Sequence, residues 1–93
     1  MHSKTVHVVV SGRVQGVGYR AWTKANARKR GLSGWVRNRQ DGSVEAVFAG
    51  ATDQVDDMLT ACKEGPLACR VRDISVSTWD DAPTQEFEMK ETV

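Results

Sequence analysis

Residues 11–20 read Ser-Gly-Arg-Val-Gln-Gly-Val-Gly-Tyr-Arg, with three glycines inside seven positions. Glycine opens backbone conformations closed to other residues, so a loop of this composition can turn sharply and expose its amide N–H groups to an anion. Arg20 ends the stretch. At the start of a helix its guanidinium can fold over an anion held by the loop amides and make a bidentate, charge-assisted pair with a phosphoryl group. Taken by position alone, Arg20 reads equally well as a surface arginine.

The size of the anion is bounded by what surrounds the loop. Gly16-Val17-Gly18-Tyr19-Arg20-Ala21 matches the dinucleotide pattern G-x-G-x-x-G/A. That pattern needs a parallel sheet and a longer chain, whereas this one turns straight back through Asp41-Gly42 after its second strand. No G-x-x-x-x-G-K-[ST] loop for a nucleoside triphosphate occurs. The cradle therefore suits something smaller.

Periodicity predicts the elements that carry the loop. Residues 5–11 are β-branched and alternate, with Val6, Val8 and Val10 on one face and His7, Val9 and Ser11 on the other, which predicts a strand. His7 stands alone there and reads as a surface histidine. Over residues 20–30, Ala21, Trp22, Ala25 and Ala27 favour a helix, Lys29 and Arg30 suit the negative end of its dipole, and Gly31 stops it. Arg20, Lys24 and Arg28 recur every four residues as a basic stripe, which reads as a solvated face.

Residues 32–39 and 43–49 form the next two strands, the latter with Val44, Ala46 and Phe48 on one side. The Asp-Gly pair of Gln40-Asp41-Gly42 between them signals an antiparallel hairpin. Val55, Met58, Leu59 and Cys62 at i, i+3, i+4 and i+7 mark a second helix, with Thr52 as its expected N-cap and Gly65-Pro66 as its end. Residues 71–79 read as a fourth strand and 86–90 as a short final one alternating around Phe87 and Met89. The order β-α-β-β-α-β with a tail strand predicts an α+β domain, two helices packed on one face of a mostly antiparallel sheet.

Bulk properties narrow the function. At 93 residues the chain is expected to be one domain, residues 1–93. A net charge of +1 supplies no global field to recruit nucleic acid or an acidic membrane, so neither is expected as a partner. The first residues lack the apolar core of a signal peptide and no run of about 18 apolar residues could span a bilayer, so a cytoplasmic location is expected. Cys62 and Cys69 lie seven apart, unlike a metal ribbon or redox pair, and read as free thiols. His2 and His7 have no cysteine or carboxylate cluster beside them, so neither a metal nor a cofactor is expected.

The topology joins distant residues. In a split β-α-β unit the first two strands run parallel with the third between them, so their C-terminal ends share one edge of the sheet. One of those ends is the glycine loop and the other is Asn38, so Arg20 and Asn38, eighteen apart in sequence, are expected to flank one site. Alone, an asparagine beside a hairpin reads as turn chemistry.

Gly12-Arg13-Val14-Gln15-Gly16-Val17-Gly18-Tyr19-Arg20 resembles the first signature of the acylphosphatases. Gly34-Trp35-Val36-Arg37-Asn38, followed by Gly42-Ser43-Val44 and Gly50, resembles the second. Length and element order are also similar to the small common-type members of that family, which have a ferredoxin-like fold. The resemblance implies hydrolysis of the carboxyl-phosphate bond of acyl phosphates. It implies that Gln15, Gly16, Val17, Gly18, Tyr19 and Arg20 bind phosphate, and that the catalytic pair is Arg20 and Asn38, with Asn38 holding the attacking water.

Such a reaction is feasible with few groups. The leaving carboxylate has a conjugate acid of pKa about 4 to 5, so no general acid is needed. A loose phosphoryl-transfer transition state asks for positioning and charge stabilisation, which predicts a metal-free, in-line attack by water. The expected partners are then a small-molecule acyl phosphate and the phosphate product, with the chain a monomer. Two alternatives stand beside this reading. One is a non-catalytic phosphate- or RNA-binding module of the same fold, although an RNA-recognition domain would carry aromatic residues on its third strand, where only Phe48 occurs. The other is an acylphosphatase-like domain of the kind that heads larger proteins acting on carbamoyl phosphate in hydrogenase-cofactor synthesis.

Overall fold

In the computed structural model, which describes residues 2–93, the expected elements follow in the expected order. They are β1 (Ser3–Arg13), α1 (Tyr19–Lys29), β2 (Ser33–Asn38), β3 (Val44–Ala51), α2 (Thr52–Glu64), β4 (Arg70–Thr78) and β5 (Glu88–Met89). The sheet order is β4-β1-β3-β2-β5. β3 lies between β1 and β2 and is antiparallel to both, so those two run in the same direction and end at the same edge. β4 pairs antiparallel with β1, and the tail strand β5 docks parallel beside β2 through Trp35↔Glu88 and Val36↔Met89. This is the ferredoxin-like arrangement, with one added strand.

Alternation decides which face of the sheet the helices cover. Val6, Val8 and Val10 of β1, Val36 of β2, and Val44, Ala46 and Phe48 of β3 form one buried cluster with Tyr19 and Ala27 of α1 and Val55, Met58 and Cys62 of α2. Phe87, just before β5, stacks on Phe48 with ring centroids 5.4 Å apart and closes the β2 side of the core. On β4, Ile74, Val76 and Thr78 sit opposite Val10, Val8 and Val6 as the pattern predicts, yet Val76 stays 44% exposed because β4 is an edge strand. The thiols of Cys62, which is buried, and of Cys69 are both free. Among the described residues no helix is long and apolar enough to cross a membrane.

Several local expectations need correction. Thr52 is not the N-cap of α2. β3 runs without a loop into the helix, so Ala51 takes the cap position with no side-chain bond, and the Thr52 N–H donates to the His2 carbonyl instead. The Arg20-Lys24-Arg28 stripe is not simply a solvated face, because Arg28 Nε donates to the Phe87 carbonyl at 2.9 Å and helps hold the tail in place. His7 is not an isolated surface histidine either. Its ring stacks on Trp79 at 4.8 Å, and its Nε2 lies 2.6 Å from Glu45 Oε2.

Glu45 is the centre of a polar ladder on the sheet face turned away from the helices. Its second carboxylate oxygen accepts from Arg37 Nε at 2.7 Å, and the Arg37 guanidinium lies over the Trp35 ring at 4.6 Å. Lys90 adds a second cation 5.2 Å from that ring. Only 8% of Glu45 is exposed, so its charge requires these partners. Burial pushes the carboxyl up, but the hydrogen bonds from His7 and Arg37 and the Arg37 charge outweigh it and hold the group below its usual value.

A carboxyl lowered on folding contributes stability above its unfolded value, about 4.3, and that contribution is lost as pH falls through the folded value. Glu45→Gln should therefore lower unfolding free energy at pH 7 by about 1.5 to 3 kcal/mol. The gap to the wild type should close below about pH 4. Urea unfolding of both proteins at pH 7, 5 and 3 checks this, and a gap independent of pH would refute the charged role of Glu45.

Candidate active site

The glycine loop leaves β1 and delivers the chain to α1 through two left-handed turns, Gly16 at φ 74° and Gly18 at φ 81°. A Cβ at either position would meet nothing within 4 Å, so the backbone angle rather than lack of room calls for glycine. Gly18 is the N-cap of α1. No side chain caps that helix, and its first turn holds no acidic residue. The first intrahelical bond runs from the Trp22 N–H to the Gly18 carbonyl at 3.0 Å, which leaves the N–H groups of Tyr19, Arg20 and Ala21 without intrahelical partners. They carry the positive end of the helix dipole.

This helix start opens on a pocket of about 280 Å³ lined by Val14, Gly16, Gly18, Tyr19, Arg20, Ala21, Asn38 and Met89. The structure thus brings together Arg20 and Asn38, the pair expected from topology. The Arg20 guanidinium has no ion-pair partner among the described residues. Its charge is available to an anion.

The other loop residues have different tasks. Tyr19 is buried, its hydroxyl donates to the Cys62 carbonyl at 2.7 Å, and Thr23 Oγ1 donates back to the Tyr19 carbonyl at 2.7 Å. Burial, with the Cys62 and Cys69 thiols nearby, pushes the phenol far above its ordinary value, so Tyr19 anchors α1 on α2 and offers the pocket a backbone N–H rather than an acid. Burial likewise pushes the Cys62 thiol up to about 11, which leaves it unreactive. Val17 packs against the core and does not line the pocket. Nor does Gln15, whose side-chain NH₂ donates to the carbonyls of Arg39 at 2.7 Å and Ser43 at 2.8 Å.

Asn38 comes to the pocket from β2. Val44 pairs with Val10 on one side and Asn38 on the other, so the ends of β1 and β2 stand two strand spacings apart, about 10 Å. The hairpin beyond Asn38 is held tightly. Arg39 N–H donates to the Ser43 carbonyl at 2.9 Å, Gly42 N–H donates to the Arg39 carbonyl at 3.1 Å, and Asp41 Oδ1 accepts from both the hydroxyl and the N–H of Ser43. Those two bonds, the hydroxyl first, hold the Asp41 carboxyl below its usual value. The tail secures the other side, with the Val93 N–H donating to the Asn38 carbonyl at 3.1 Å. Within this frame Asn38 Oδ1 is buried without a hydrogen-bond partner among the described residues. Buried acceptors are rarely left so, and the residue lines the same pocket as Arg20.

Sequence reasoning did not find Val14, Ala21 or Met89 in the lining. Alternation does place Met89 on the same side as Phe87, but only the docking of β5 beside β2 carries it to the pocket.

Known proteins resemble the chain in both sequence and fold. The family model for acylphosphatases matches residues 6–89. An acylphosphatase of Nitrobacter winogradskyi is 55% identical over 74 residues, 80% of this chain and 75% of that protein. One of Rhizorhabdus wittichii is 48% identical over 91 residues, 98% and 90% of the respective chains. The solved structure of an acylphosphatase from Coxiella burnetii superposes with a TM-score of 0.90 at 31% identity, covering 95% of this chain and 93% of that one.

The left-handed turn at Gly18 generates a prediction. A side chain there costs about 1 to 2 kcal/mol, and relief of that strain would swing the uncapped N–H groups out of line. Gly18→Ala should lose about that much stability and weaken inhibition by inorganic phosphate. Urea unfolding and phosphate competition on the same sample measure both effects; unchanged phosphate inhibition would contradict the cradle.

Proposed function

The chain belongs to the acylphosphatase family, and from that premise we propose that the α1 cradle and Asn38 are two halves of one catalytic site. The protein is a hydrolase that splits an acyl phosphate with water into a carboxylate and inorganic phosphate. In the proposed site the backbone N–H groups of residues 15–20 and the Arg20 guanidinium take the phosphoryl oxygens. Arg20 supplies most of the attraction, because the dipole of a helix start contributes only about 0.3 to 1 kcal/mol. The Asn38 side-chain amide, through its oxygen or its NH₂ group, holds a water and turns the water's lone pair toward phosphorus, in line with the leaving carboxylate. The observation that carries this reading is the uncapped start of α1 and the Arg20 guanidinium facing one pocket with Asn38.

The leaving carboxylate needs no proton, and the pocket lining has no carboxylate or imidazole to act as a base. We assign the water's proton to a phosphoryl oxygen of the substrate itself. The charged and backbone groups at the pocket, the Arg20 guanidinium and the helix-start N–H groups, are donors, and the lining holds no carboxylate or imidazole, a set suited to an anion and poorly suited to a hard cation, which supports attack without a metal. The same reading makes residues 1–93 a single, monomeric, cytoplasmic domain with no nucleic-acid partner. The net charge of +1 favours the last point.

Release of phosphate from acetyl phosphate tests the assignment. Arg20→Ala should abolish nearly all turnover and phosphate inhibition together. Asn38→Ala should lower kcat by about 10² or more while phosphate inhibition changes little. Turnover should be indifferent to a chelator. An Asn38→Ala variant with full kcat, or chelator-sensitive release by the wild type, would each overturn its part of the mechanism.

A further inference from the structure

We propose that Gln15 is a positioning residue for turnover, acting through Asn38, and that its side chain takes no part in holding phosphate. The inference rests on the role of Asn38 proposed above. Gln15 has two side-chain N–H donors and both are spent, at 2.7 Å on the Arg39 carbonyl and at 2.8 Å on the Ser43 carbonyl. These two residues form the neck of the β2–β3 hairpin, one directly after Asn38 and the other directly before Val44.

Each carbonyl already accepts one backbone hydrogen bond within the hairpin, Arg39 from Gly42 and Ser43 from Arg39. Gln15 therefore occupies the second lone pair of each. If the side chain is removed, neither carbonyl is orphaned and the hairpin keeps its own bonds, so the fold should survive. What is lost is the tie between the phosphate loop and the strand end that presents Asn38. In-line attack depends on that relative placement, and a misplacement of about 1 Å can cost on the order of 10² in rate. The side chain also suits this task in detail. Glutamate has the same length but no N–H donors, and methionine matches the reach with no hydrogen-bonding group for the carbonyls.

The test is a double-mutant cycle on acetyl phosphate hydrolysis, with kcat and the inhibition constant of inorganic phosphate measured for wild type, Gln15→Met, Asn38→Ala and the double variant. Gln15→Glu serves as a second replacement, and far-UV dichroism and cooperative urea unfolding verify the fold of each protein. Gln15→Met should lower kcat about tenfold or more. Its phosphate inhibition constant should stay within about twofold of wild type, and in the Asn38→Ala background the same substitution should change kcat by less than about twofold. A loss of phosphate affinity as large as the loss of kcat would make Gln15 a phosphate ligand and overturn the proposal. So would a kcat effect that persists undiminished beside an impaired Asn38→Ala. Full turnover by Asn38→Ala alone would instead remove the water-holding role, and the action of Gln15 through it, together.

Discussion

One pairing constraint governs the site. Val44, the first residue of β3, is paired in register with Val10 on one side and Asn38 on the other. The central strand thereby sets the distance between the loop that leaves β1 and the end of β2. Side chains alternate along a strand, so a slip of one residue on the β2 side would send Asn38 to the open face and put Arg37 in the pocket. The register resists such a slip at both ends of the hairpin. Val36 must reach the core, and Gly42, at φ 94°, completes a three-residue connection locked by Asp41 and Ser43.

The groups gathered by that register are costly to the fold. With glycine at the N-cap, the start of α1 forgoes about a few tenths of a kcal/mol relative to a side-chain cap. A buried acceptor without a donor costs about 1 to 3 kcal/mol. Arg20 adds a charge with no ion-pair partner among the described residues. Elsewhere the chain satisfies comparable groups: Glu45 has both oxygens bonded, the Tyr19 hydroxyl has its carbonyl, and Arg30 pairs with Asp57. The unsatisfied groups are concentrated where a phosphoryl group and a water would complete them, which is how a site preorganised for charge differs from the surface around it.

Much of this was legible before the structure, because it depended on local pattern. Alternating valines gave β1, Asp41-Gly42 gave the hairpin, and topology alone brought Asn38 to the glycine loop. What escaped depended on contacts between distant segments. Nothing in Thr52 discloses that β3 runs straight into α2 and removes the need for a side-chain cap. The partners of His7 come from two other strand regions, Glu45 of β3 and Trp79 beyond β4, and a histidine read one strand at a time looks solitary. Met89 could be assigned a face but not a neighbour. Gln15 sat inside a motif whose composition suggests phosphate, and only the positions of two hairpin carbonyls show where its side chain is spent.

The sheet order also dictates when the site can come into being. β1 is the first strand in the chain, yet its partners are residues 44–51 and 70–78, and it makes no ladder with anything nearer. During synthesis the glycine loop thus emerges before its partner strands β3 and β4, and closure of such long loops slows folding relative to a helical bundle. The pocket also draws on residues 88–93, through β5 and the backbone bond from the Val93 N–H to the Asn38 carbonyl. Its capacity for chemistry therefore depends on segments spread from β1 to β5.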